Sequence, residues 1–239
     1  MTKFWQTFFS KYGPEHAVTE DDLFKQVGHT WEKRPIGQDK FQRLVAHIEA
    51  LLELSQEQHL VDFCCGNGLF SYELAKRVAH VTGIDFVERN IRIAEERKLG
   101  PNTTYVVGDV TAPLALLIGA NTFPGKYLMN YSLAYFGPKE LDIILSNILQ
   151  HMADRPFSFL IAGIPCFDLK WNFYNTPERV ARHLVNEKKQ TNTNDGLGRW
   201  WRPDEIKDIC SRHRLQVQVT NQPLDLSNFR MDALIKSSS

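Results

Sequence analysis

The 239-residue sequence predicts an α/β fold: a doubly wound, mostly parallel seven-stranded sheet with helices on both faces. Five short apolar runs of strand type alternate with segments whose apolar residues recur at helical spacing. A glycine-containing turn joins the first of these runs directly to a helical segment. Near the carboxyl end, LQVQVTNQP and FRMDALIK alternate apolar and polar residues and predict two closing strands.

Residues 1–54 precede the first predicted strand, and we expect an N-terminal helical cover there, ahead of a core at residues 55–236. The stretch KFWQTFFSKYG places four aromatic residues on one helical stripe. A second helix is predicted from an N-cap at Thr19 to a stop at Gly28, and a third in GQDKFQRLVAHIEALLEL. The polar loop between them, FKQVGHTWEKRPIG, either packs on the sheet or covers a ligand site.

The central motif is the run from Asp62 to Gly68, which reads DFCCGNG. A buried strand, a glycine turn and a helix in succession bring the backbone close to a ligand at the helix N-terminus. Asp85 ends the second strand-like run about 20 residues later, where a carboxylate can accept both hydroxyls of a ribose. Asp109 follows the third run, so three acids meet one edge of the predicted sheet.

At these residues the sequence resembles the class I S-adenosylmethionine-dependent methyltransferases, whose first motif reads roughly acid-x-Gly-x-Gly-x-Gly. The resemblance spans about residues 60–235 and implies S-adenosylmethionine as cofactor and an antiparallel pair as the last two strands. Cys64 stands where the family has its first glycine, which puts in doubt how closely the backbone approaches the methionine end of the cofactor. The cofactor-binding residues that the resemblance implies are Asp62, Cys64, Gly66, Asn67, Gly68, Asp85, Phe86, Asp109, Val110 and Tyr131. If the polar loop covers the cofactor, Arg34 or Lys33 would meet its carboxylate.

The loop after the fourth predicted strand, residues 130–135, faces the methyl group in this family. It lacks the Asn-Pro-Pro-aromatic string used on planar amino nitrogens and the paired acids of a magnesium-dependent catechol enzyme. Tyr131 and Tyr135 are therefore the catalytic candidates in the loop, although either can be plain packing. Histidine is the natural base near neutral pH, and His29 is our candidate, with His16 and His183 in other covering segments. Methyl transfer can also proceed without a base.

A long insertion at residues 166–202 follows the fifth predicted strand and combines aromatic residues with arginines and lysines. We expect it to be irregular, apart from the helical spacing of PERVARHLVNEKK. Such a mixture can bind nucleic-acid bases, but acidic residues are interspersed here and the positive and negative charges of the chain are equal in number. We favour a lid whose aromatic side chains, Trp171, Tyr174 and Trp200, bind a small-molecule substrate. Arg199 or Arg202 would then meet an acidic group of that substrate.

The amino-acid composition restricts the classes of molecule that the protein is expected to bind. Lys and Arg number 28 against 28 for Asp and Glu, so there is no basic bias toward nucleic acid or anionic membrane. Four cysteines without a framework predict a reducing compartment, and Cys64 and Cys65 are expected to be small buried residues and not a metal pair. We expect no metal, no membrane segment and a cytoplasmic location. The oligomeric state cannot be derived from the sequence.

The predicted function is methyl transfer from S-adenosylmethionine to oxygen or nitrogen of a polar small molecule, possible acceptors being a sugar or a secondary metabolite. A nicotinamide-dependent oxidoreductase is one rival, since it would share the glycine turn and Asp85. Ser71 in place of a third glycine or alanine counts against it. The other rival is a catalytically silent, methyltransferase-like subunit, against which the intact Asp85 and Asp109 argue.

Overall fold

The computed structural model describes residues 3–11, 19–31, 34–98, 100–188 and 197–237. Within them, a seven-stranded sheet has the spatial order β3-β2-β1-β4-β5-β7-β6. Only the pairings of β7 with β5 and β6 are antiparallel, which confirms the predicted closing pair. The strands are β1 (His59–Phe63), β2 (His80–Asp85), β3 (Thr103–Val107), β4 (Lys126–Asn130), β5 (Ser158–Pro165), β6 (Gln216–Asn221) and β7 (Arg230–Lys236).

Helices cover both faces of this sheet, as the alternation of strand and helix periods predicts. One face carries α3 and α4, whose apolar residues form a core with Leu60, Leu128 and Leu160 of the strands. The other face carries α7 and α10, packed on strand residues such as Val61 and Phe159. The helices are α1 (Lys3–Lys11), α2 (Glu20–Gln26), α3 (Gln38–Leu52), α4 (Leu69–Leu74), α5 (Glu88–Arg97), α6 (Leu114–Ile118), α7 (Pro138–Met152), α8 (Lys170–Phe173), α9 (Pro177–Lys188) and α10 (Pro203–Arg212).

The strand order places a crevice at the carboxyl ends of β1 and β4. The chain runs outward from β1 through β2 to β3, then returns to build β4 and β5 on the other side of β1. Ligands of open α/β sheets bind where the strand order reverses in this way. The glycine turn after β1 and the loop after β4 therefore face each other across this crevice.

The insertion after β5 differs from the irregular segment that was expected for residues 166–201. Where it is described it is mostly helical, with a 3₁₀ turn at Phe167–Leu169 followed by α8 and α9. It returns to the sheet at Trp201, which is fully buried and bridges Cys166. The helical spacing of PERVARHLVNEKK does predict α9, whereas the four-residue helix α8 is too short to give a recognisable pattern.

The N-terminal residues form three helices and a small hairpin that pairs Thr30 with Pro35. Thr19 caps α2, accepting a hydrogen bond from the amide of Asp22, while the Asp22 carboxylate accepts from the amide of Thr19. This is the capping box expected from the acids after Thr19. No helix within the described residues is long and apolar enough to cross a membrane.

Candidate active site

A cavity of about 430 Å³ opens at the carboxyl edge of the sheet, in the crevice between β1 and β4. This volume lies within the range of small-molecule sites. Its lining comes from the glycine turn, the end of β2, the loop after β4, the N-terminal helices and the insertion. From the turn and β2 it includes Asp62, Cys64, Cys65, Gly66, Asn67, Asp85, Phe86, Val87 and Asn90.

The glycine turn lies against the N-terminal cover so closely that a side chain is excluded at Gly66. This residue has a φ of +58°, and a Cβ there would lie 2.6 Å from Cγ1 of Val27. Cys64 also has a positive φ, of 59°, although it is not glycine. The left-handed conformation explains why the family has glycine at this position, and here cysteine adopts it at some cost in strain.

Asp85 joins the end of β2 to the glycine turn. One carboxylate oxygen accepts from the amide of Gly66 at 3.0 Å, and the other accepts from the amide of Val87 at 2.8 Å. Burial raises the pKa of Asp85 to about 6, while these two amide bonds oppose the rise. Each oxygen keeps a further lone pair, so the carboxylate can still accept hydroxyl groups from the cavity.

Asp62 is the second buried carboxyl group of the cavity. Its only hydrogen-bond donor among the described residues is the hydroxyl of Ser71, at 2.6 Å. Burial raises the pKa of Asp62 to about 7, the Ser71 bond opposes this, and the charge of Asp85 adds to it. Within the described residues no Lys, Arg or His lies within 4.0 Å of either carboxylate. The acidic floor, Asp62 with Asp85, therefore suits a ligand that carries hydroxyls and positive charge.

Three asparagines around the cavity have buried polar atoms without a partner in the described part of the chain. Asn130 leaves both its side-chain oxygen and nitrogen unpaired, and Asn90 and Asn67 each leave the oxygen unpaired. The nitrogen of Asn67 donates to the carbonyl of Leu23 and to Gln26 Oε1, both at 2.9 Å, which ties the turn to α2. Because an unpaired buried polar atom costs about 1–3 kcal/mol, Asn130 is suited to bind a ligand. Sequence reasoning missed Asn90 as a site residue and gave Asn130 no role.

Tyr131, at the end of β4, lies beside His29 and Arg230. The rings of Tyr131 and His29 are 5.4 Å apart, and the Arg230 guanidinium lies 4.6 Å from the Tyr131 ring centre. A Cβ on Gly163 would lie 2.8 Å from the Tyr131 ring, so the glycine permits this arrangement. Burial, with a contribution from the Arg230 charge, lowers the pKa of His29 to about 4. His29 is therefore neutral near pH 7, and burial keeps Tyr131 protonated by raising its pKa.

Tyr135 is covered by the aromatic stripe of α1. Its ring lies 4.6 Å from Trp5 and 4.7 Å from Phe9. Phe8, Phe9 and Tyr135 all line the cavity. The first helix thus packs over the site itself, whereas the sequence interpretation assigned that position to the later polar loop. That loop also contributes, since His29 and Thr30 line the cavity. His16 lies outside the described residues.

Four of the expected cofactor residues do not line the cavity. Asp109 uses one oxygen to accept from the amide and hydroxyl of Thr111, and Val110 is buried in the core. Arg34 is exposed on the small hairpin. Gly68 starts α4 with its α-carbon facing Tyr105, where a Cβ would lie 2.6 Å from the hydroxyl oxygen. Of these four residues, Asp109 and Val110 belong to the turn after β3, and that turn contributes no residue to the cavity lining.

The three expected substrate residues also lie outside the cavity lining. Tyr174 is buried against His183, with ring centres 4.1 Å apart, and accepts a hydrogen bond from Trp200 Nε1 at 3.2 Å. Trp171 is 52% exposed. Their neighbour Phe173 lines the cavity instead. Tyr174, His183 and Trp200 therefore pack against one another and hold the helical part of the insertion against its final residues.

The cations of the site also differ from those expected. Arg199 pairs with Glu205, and Arg202 pairs with Asp168 at 3.3 Å. The cations that do line the cavity are Arg179 and Arg182 of α9 and Arg230 of β7. Sequence reasoning missed Arg230 because it starts a strand about 100 residues after the loop that it contacts.

Cys64 and Cys65 are half-buried and line the cavity, so they are less enclosed than expected. Burial and the nearby carboxylates raise the pKa of both thiols well above the usual range. Both are therefore protonated and unreactive at neutral pH. Among the described residues, no three His, Cys, Asp or Glu side chains are grouped to hold a metal ion.

Comparisons with known proteins agree with this geometry. Residues 60–155 match the family model described as a methyltransferase domain. The chain is 26% identical over 172 residues to a ubiquinone biosynthesis O-methyltransferase of Nitrosomonas europaea, covering 70% of this chain and 65% of that one. It is 25% identical over 169 residues to phosphoethanolamine N-methyltransferase 1 of Triticum aestivum, covering 68% and 33%. The chain thus spans between a third and two thirds of the length of these curated relatives.

A solved structure extends the likeness to the whole fold. Magnesium protoporphyrin IX methyltransferase from Synechocystis, with bound S-adenosylhomocysteine, superposes with a TM-score of 0.55 at 17% identity. The match covers 92% of this chain and 87% of that one. The sheet order and the acidic crevice define a class I, Rossmann-like methyltransferase fold. Residues 60–155 thus match a methyltransferase domain, and the chain as a whole has the fold of S-adenosylmethionine-dependent methyltransferases.

Proposed function

We propose that this protein transfers the methyl group of S-adenosylmethionine to an oxygen or nitrogen atom of a polar small molecule. The observation that carries the proposal is the acidic floor, in which the buried carboxylates of Asp62 and Asp85 have no cation near them within the described residues. A ligand with a ribose, an ammonium group and a positively charged sulfur satisfies this floor. When bound, the cofactor supplies a methyl group activated by the sulfonium charge.

The residues of the glycine turn and β2 would hold the cofactor. Asp85 is suited to accept the ribose hydroxyls, because it lines the cavity and each of its oxygens retains a lone pair beside its main-chain hydrogen bond. Asp62 is suited to accept the ammonium group of the methionine end. Gly66 lets the main chain approach, and Phe86 offers an apolar face beside the ribose site. Asp109 keeps one oxygen without a donor in the described residues and remains our candidate for the adenine amino group.

The residues after β4 would act on the acceptor. The unpaired amide of Asn130 can both donate to and accept from a polar acceptor group. The protonated Tyr131 hydroxyl can donate a hydrogen bond. Neutral His29 can take a proton as an acceptor atom loses it, although a pKa of about 4 makes it a weak base. Alignment in a site shielded by Phe8 and Phe9 supplies the rest.

The named relatives support the oxygen-or-nitrogen assignment. One is named an O-methyltransferase of ubiquinone biosynthesis and the other an N-methyltransferase of phosphoethanolamine. A sugar or secondary metabolite remains a hypothesis for the acceptor. We propose that nucleic acid is not the substrate, since the chain carries 28 basic and 28 acidic residues. The cytoplasmic location stays a prediction from cysteine usage.

Calorimetry with S-adenosylhomocysteine and with nicotinamide dinucleotides tests the cofactor. We expect binding of the first and none of the second, and tight binding of a dinucleotide alone would refute the proposal. Transfer of labelled methyl groups to sugars, amino acids, phenols, total transfer RNA and total protein tests the acceptor class, with the Asp85→Ala variant as the inactive control. Labelling confined to RNA or protein would overturn the small-molecule assignment. Cofactor binding with no transfer in any fraction would instead favour the silent subunit.

A further inference from the structure

A second cavity, of about 280 Å³, lies directly beside the first. The two share a wall formed by Gly28, His29, Thr30, Tyr131, Phe229 and Arg230. This wall includes Tyr131 and His29, the two residues proposed to face the acceptor. The second cavity is therefore placed to hold the part of an acceptor that lies away from its reacting atom.

The walls of this second cavity combine an apolar floor with two cations. Leu44 of α3 and Leu226, which precedes β7, are almost fully buried and form the floor. Lys40 comes from the first turn of α3 and Arg230 from the first residue of β7. Two elements far apart in the sequence thus direct positive charge into one cavity.

Neither of these two cations forms an ion pair among the described residues, although the charges of Asp225 and Asp232 act on Lys40 and Arg230 from a longer distance. Neither Lys40 nor Arg230 has a carboxylate oxygen within 4.0 Å, whereas Arg43, one turn along α3, pairs with Asp225 at 3.7 Å. Burial lowers the pKa of Lys40, the charges of Arg230 and Arg43 lower it further, and Asp225 opposes them. Arg230 instead donates to the carbonyl of Gly163 and lies over the Tyr131 ring. An anion between the two cations would relieve their repulsion.

We propose that the second cavity binds an anionic group of the methyl acceptor, a carboxylate or a phosphate, between Lys40 and Arg230. The acceptor atom would then point past Tyr131 and His29 into the first cavity. This inference rests on the proposed function for its methyl transfer, and adds the substrate class: small acids. Lys40 is decisive because it lines only the second cavity, whereas Arg230 lines both and could meet the cofactor carboxylate.

Inorganic phosphate is a direct probe of the anion site. Titration of sodium phosphate into protein saturated with S-adenosylhomocysteine, at constant ionic strength kept with sodium chloride, is expected to show saturable binding by calorimetry. Lys40→Met and Arg230→Met should each weaken phosphate binding by about tenfold or more, since each removes a charged hydrogen-bond donor. Arg43→Met, which removes an equal charge from the same helix, should leave it within about twofold.

Absence of saturable phosphate binding would overturn the proposal. So would a loss of phosphate affinity in Arg43→Met as large as that in Lys40→Met, because it would indicate a general effect of surface charge. Arg230→Met that weakens S-adenosylhomocysteine as much as phosphate would assign Arg230 to the cofactor. In that case Lys40→Met must still weaken phosphate binding while leaving the affinity for S-adenosylhomocysteine unchanged. If it does not, the anion site is refuted. Failure of the wild-type protein to bind S-adenosylhomocysteine would refute the proposed function alone, because the same phosphate titration can then be run on the protein without that ligand.

Turnover then links the anion site to the acceptor. For the acceptors found by methyl labelling, acids should be methylated with at least tenfold higher kcat/KM than their neutral amides or dephosphorylated forms. Lys40→Met should raise KM for the acid with KM for S-adenosylmethionine unchanged. A neutral acceptor preferred by the wild type, with unchanged kinetics in Lys40→Met, would overturn the assignment.

Discussion

The main-chain amide of Gly66 donates to the Asp85 carboxylate at 3.0 Å, so the turn after β1 is fastened to the end of β2. The same carboxylate accepts from Val87, which begins the approach to α5. Asp85 thus serves the architecture of the cavity as well as its proposed ligand. Its replacement is expected to affect both, and the experiments below separate the two effects.

We expect Asp85→Ala to weaken binding of S-adenosylhomocysteine more than Asp62→Asn does. Loss of Asp85 would remove the two hydrogen bonds that we propose it makes to the ribose, each worth about 1.5–3 kcal/mol when the acceptor is charged. Asp62→Asn keeps an oxygen for the Ser71 hydroxyl and loses only the charge that we propose faces the ammonium group. Calorimetry on the three proteins gives the comparison.

Asp85→Asn is the matched control, because its amide oxygen can keep one of the two main-chain hydrogen bonds. If Asp85→Ala bound S-adenosylhomocysteine normally, Asp85 would be reduced to a structural residue. If circular dichroism showed that Asp85→Ala is unfolded, Asp85→Asn would replace it in the comparison with Asp62→Asn.

The affinity for the cofactor should decrease in two steps as the pH is lowered. The pKa of Asp62 is about 7 and that of Asp85 about 6 in the protein without ligand, both above the usual 3.8 for aspartate. A ligand that prefers the charged carboxylates must displace their protons, so affinity is full above pH 7 and declines as pH falls through 7 and then 6. Calorimetry in buffers of different ionisation enthalpy should detect proton release near pH 6.5, and an affinity that does not change between pH 5.5 and 8 would contradict this.

Stability of the unliganded protein should show the opposite trend. The pKa values of Asp62 and Asp85 are higher in the folded state than in the unfolded state, so the folded state binds more protons between about pH 4 and 7. The contribution of these two groups to the free energy of unfolding therefore falls as the pH rises. His29, with its pKa lowered to about 4, acts in the other direction between pH 4 and 6.5. Asp62→Asn should therefore raise the free energy of unfolding at pH 8, measured by urea denaturation, more than at pH 5.

Strand positions were largely predictable because each buried strand is a short apolar run bounded by turn residues. The apolar run at residues 126–130 predicts a strand with the same bounds as β4, and the run at residues 104–107 predicts β3, which begins one residue earlier, at Thr103. The turn residues Asp62, Gly66 and Asp85 were also predictable, because chemistry at a strand end depends on local order in the sequence. The antiparallel pair that the family resemblance implied for the last two strands is also observed.

The acceptor side could not be predicted in the same way, since it is assembled from distant segments. Arg230, Phe173 and Phe8 meet at the cavity only through tertiary packing, and no local pattern distinguishes them from core or surface residues. Trp200 and Tyr174 carried the same aromatic signal as Phe173, yet they hydrogen-bond each other. A residue's type suggests its chemistry, but which side of a helix faces a cavity depends on the whole fold.

Replacement of Cys64 by glycine should be tolerated. Cys64 has a φ of 59°, a conformation that costs an L-residue about 1–2 kcal/mol and glycine little. The lost packing of a half-buried thiol offsets part of this gain. We expect a change in the free energy of unfolding of within about 1 kcal/mol and unchanged S-adenosylhomocysteine affinity. Strong destabilisation would show that the thiol contacts outweigh the backbone strain.

The N-terminal cover should gain protection from hydrogen exchange when the cofactor binds. Asn67 fastens the glycine turn to α2 through Leu23 and Gln26, so a ligand on the turn should also hold residues 19–31. Closure of this segment, and of residues 173–188 and 197–201, would exclude water from the site. Exchange measured with and without S-adenosylhomocysteine checks this, with α7 as the internal reference. Unchanged protection in these segments would reduce them to scaffolding.

Tyr131→Phe should lower kcat while leaving cofactor affinity nearly unchanged. The phenylalanine keeps the ring that packs on Gly163 and Arg230 and removes only the hydroxyl that can donate to the acceptor. Loss of one such hydrogen bond in the transition state corresponds to about tenfold to a hundredfold in kcat. A variant with unchanged kcat would show that Tyr131 is packing only.

Phe173→Ala and Trp200→Ala form a matched pair for the insertion. Phe173 lines the cavity, so its truncation should raise the acceptor KM with little change in the KM of S-adenosylmethionine. Trp200 lies behind it, donating to Tyr174 and packing on Phe229, so its truncation should cost about 1–3 kcal/mol of stability. Steady-state kinetics and thermal unfolding of both variants separate the two roles. An acceptor KM raised by Trp200→Ala and not by Phe173→Ala would restore Trp200 as the substrate-binding residue and exclude Phe173 from that role.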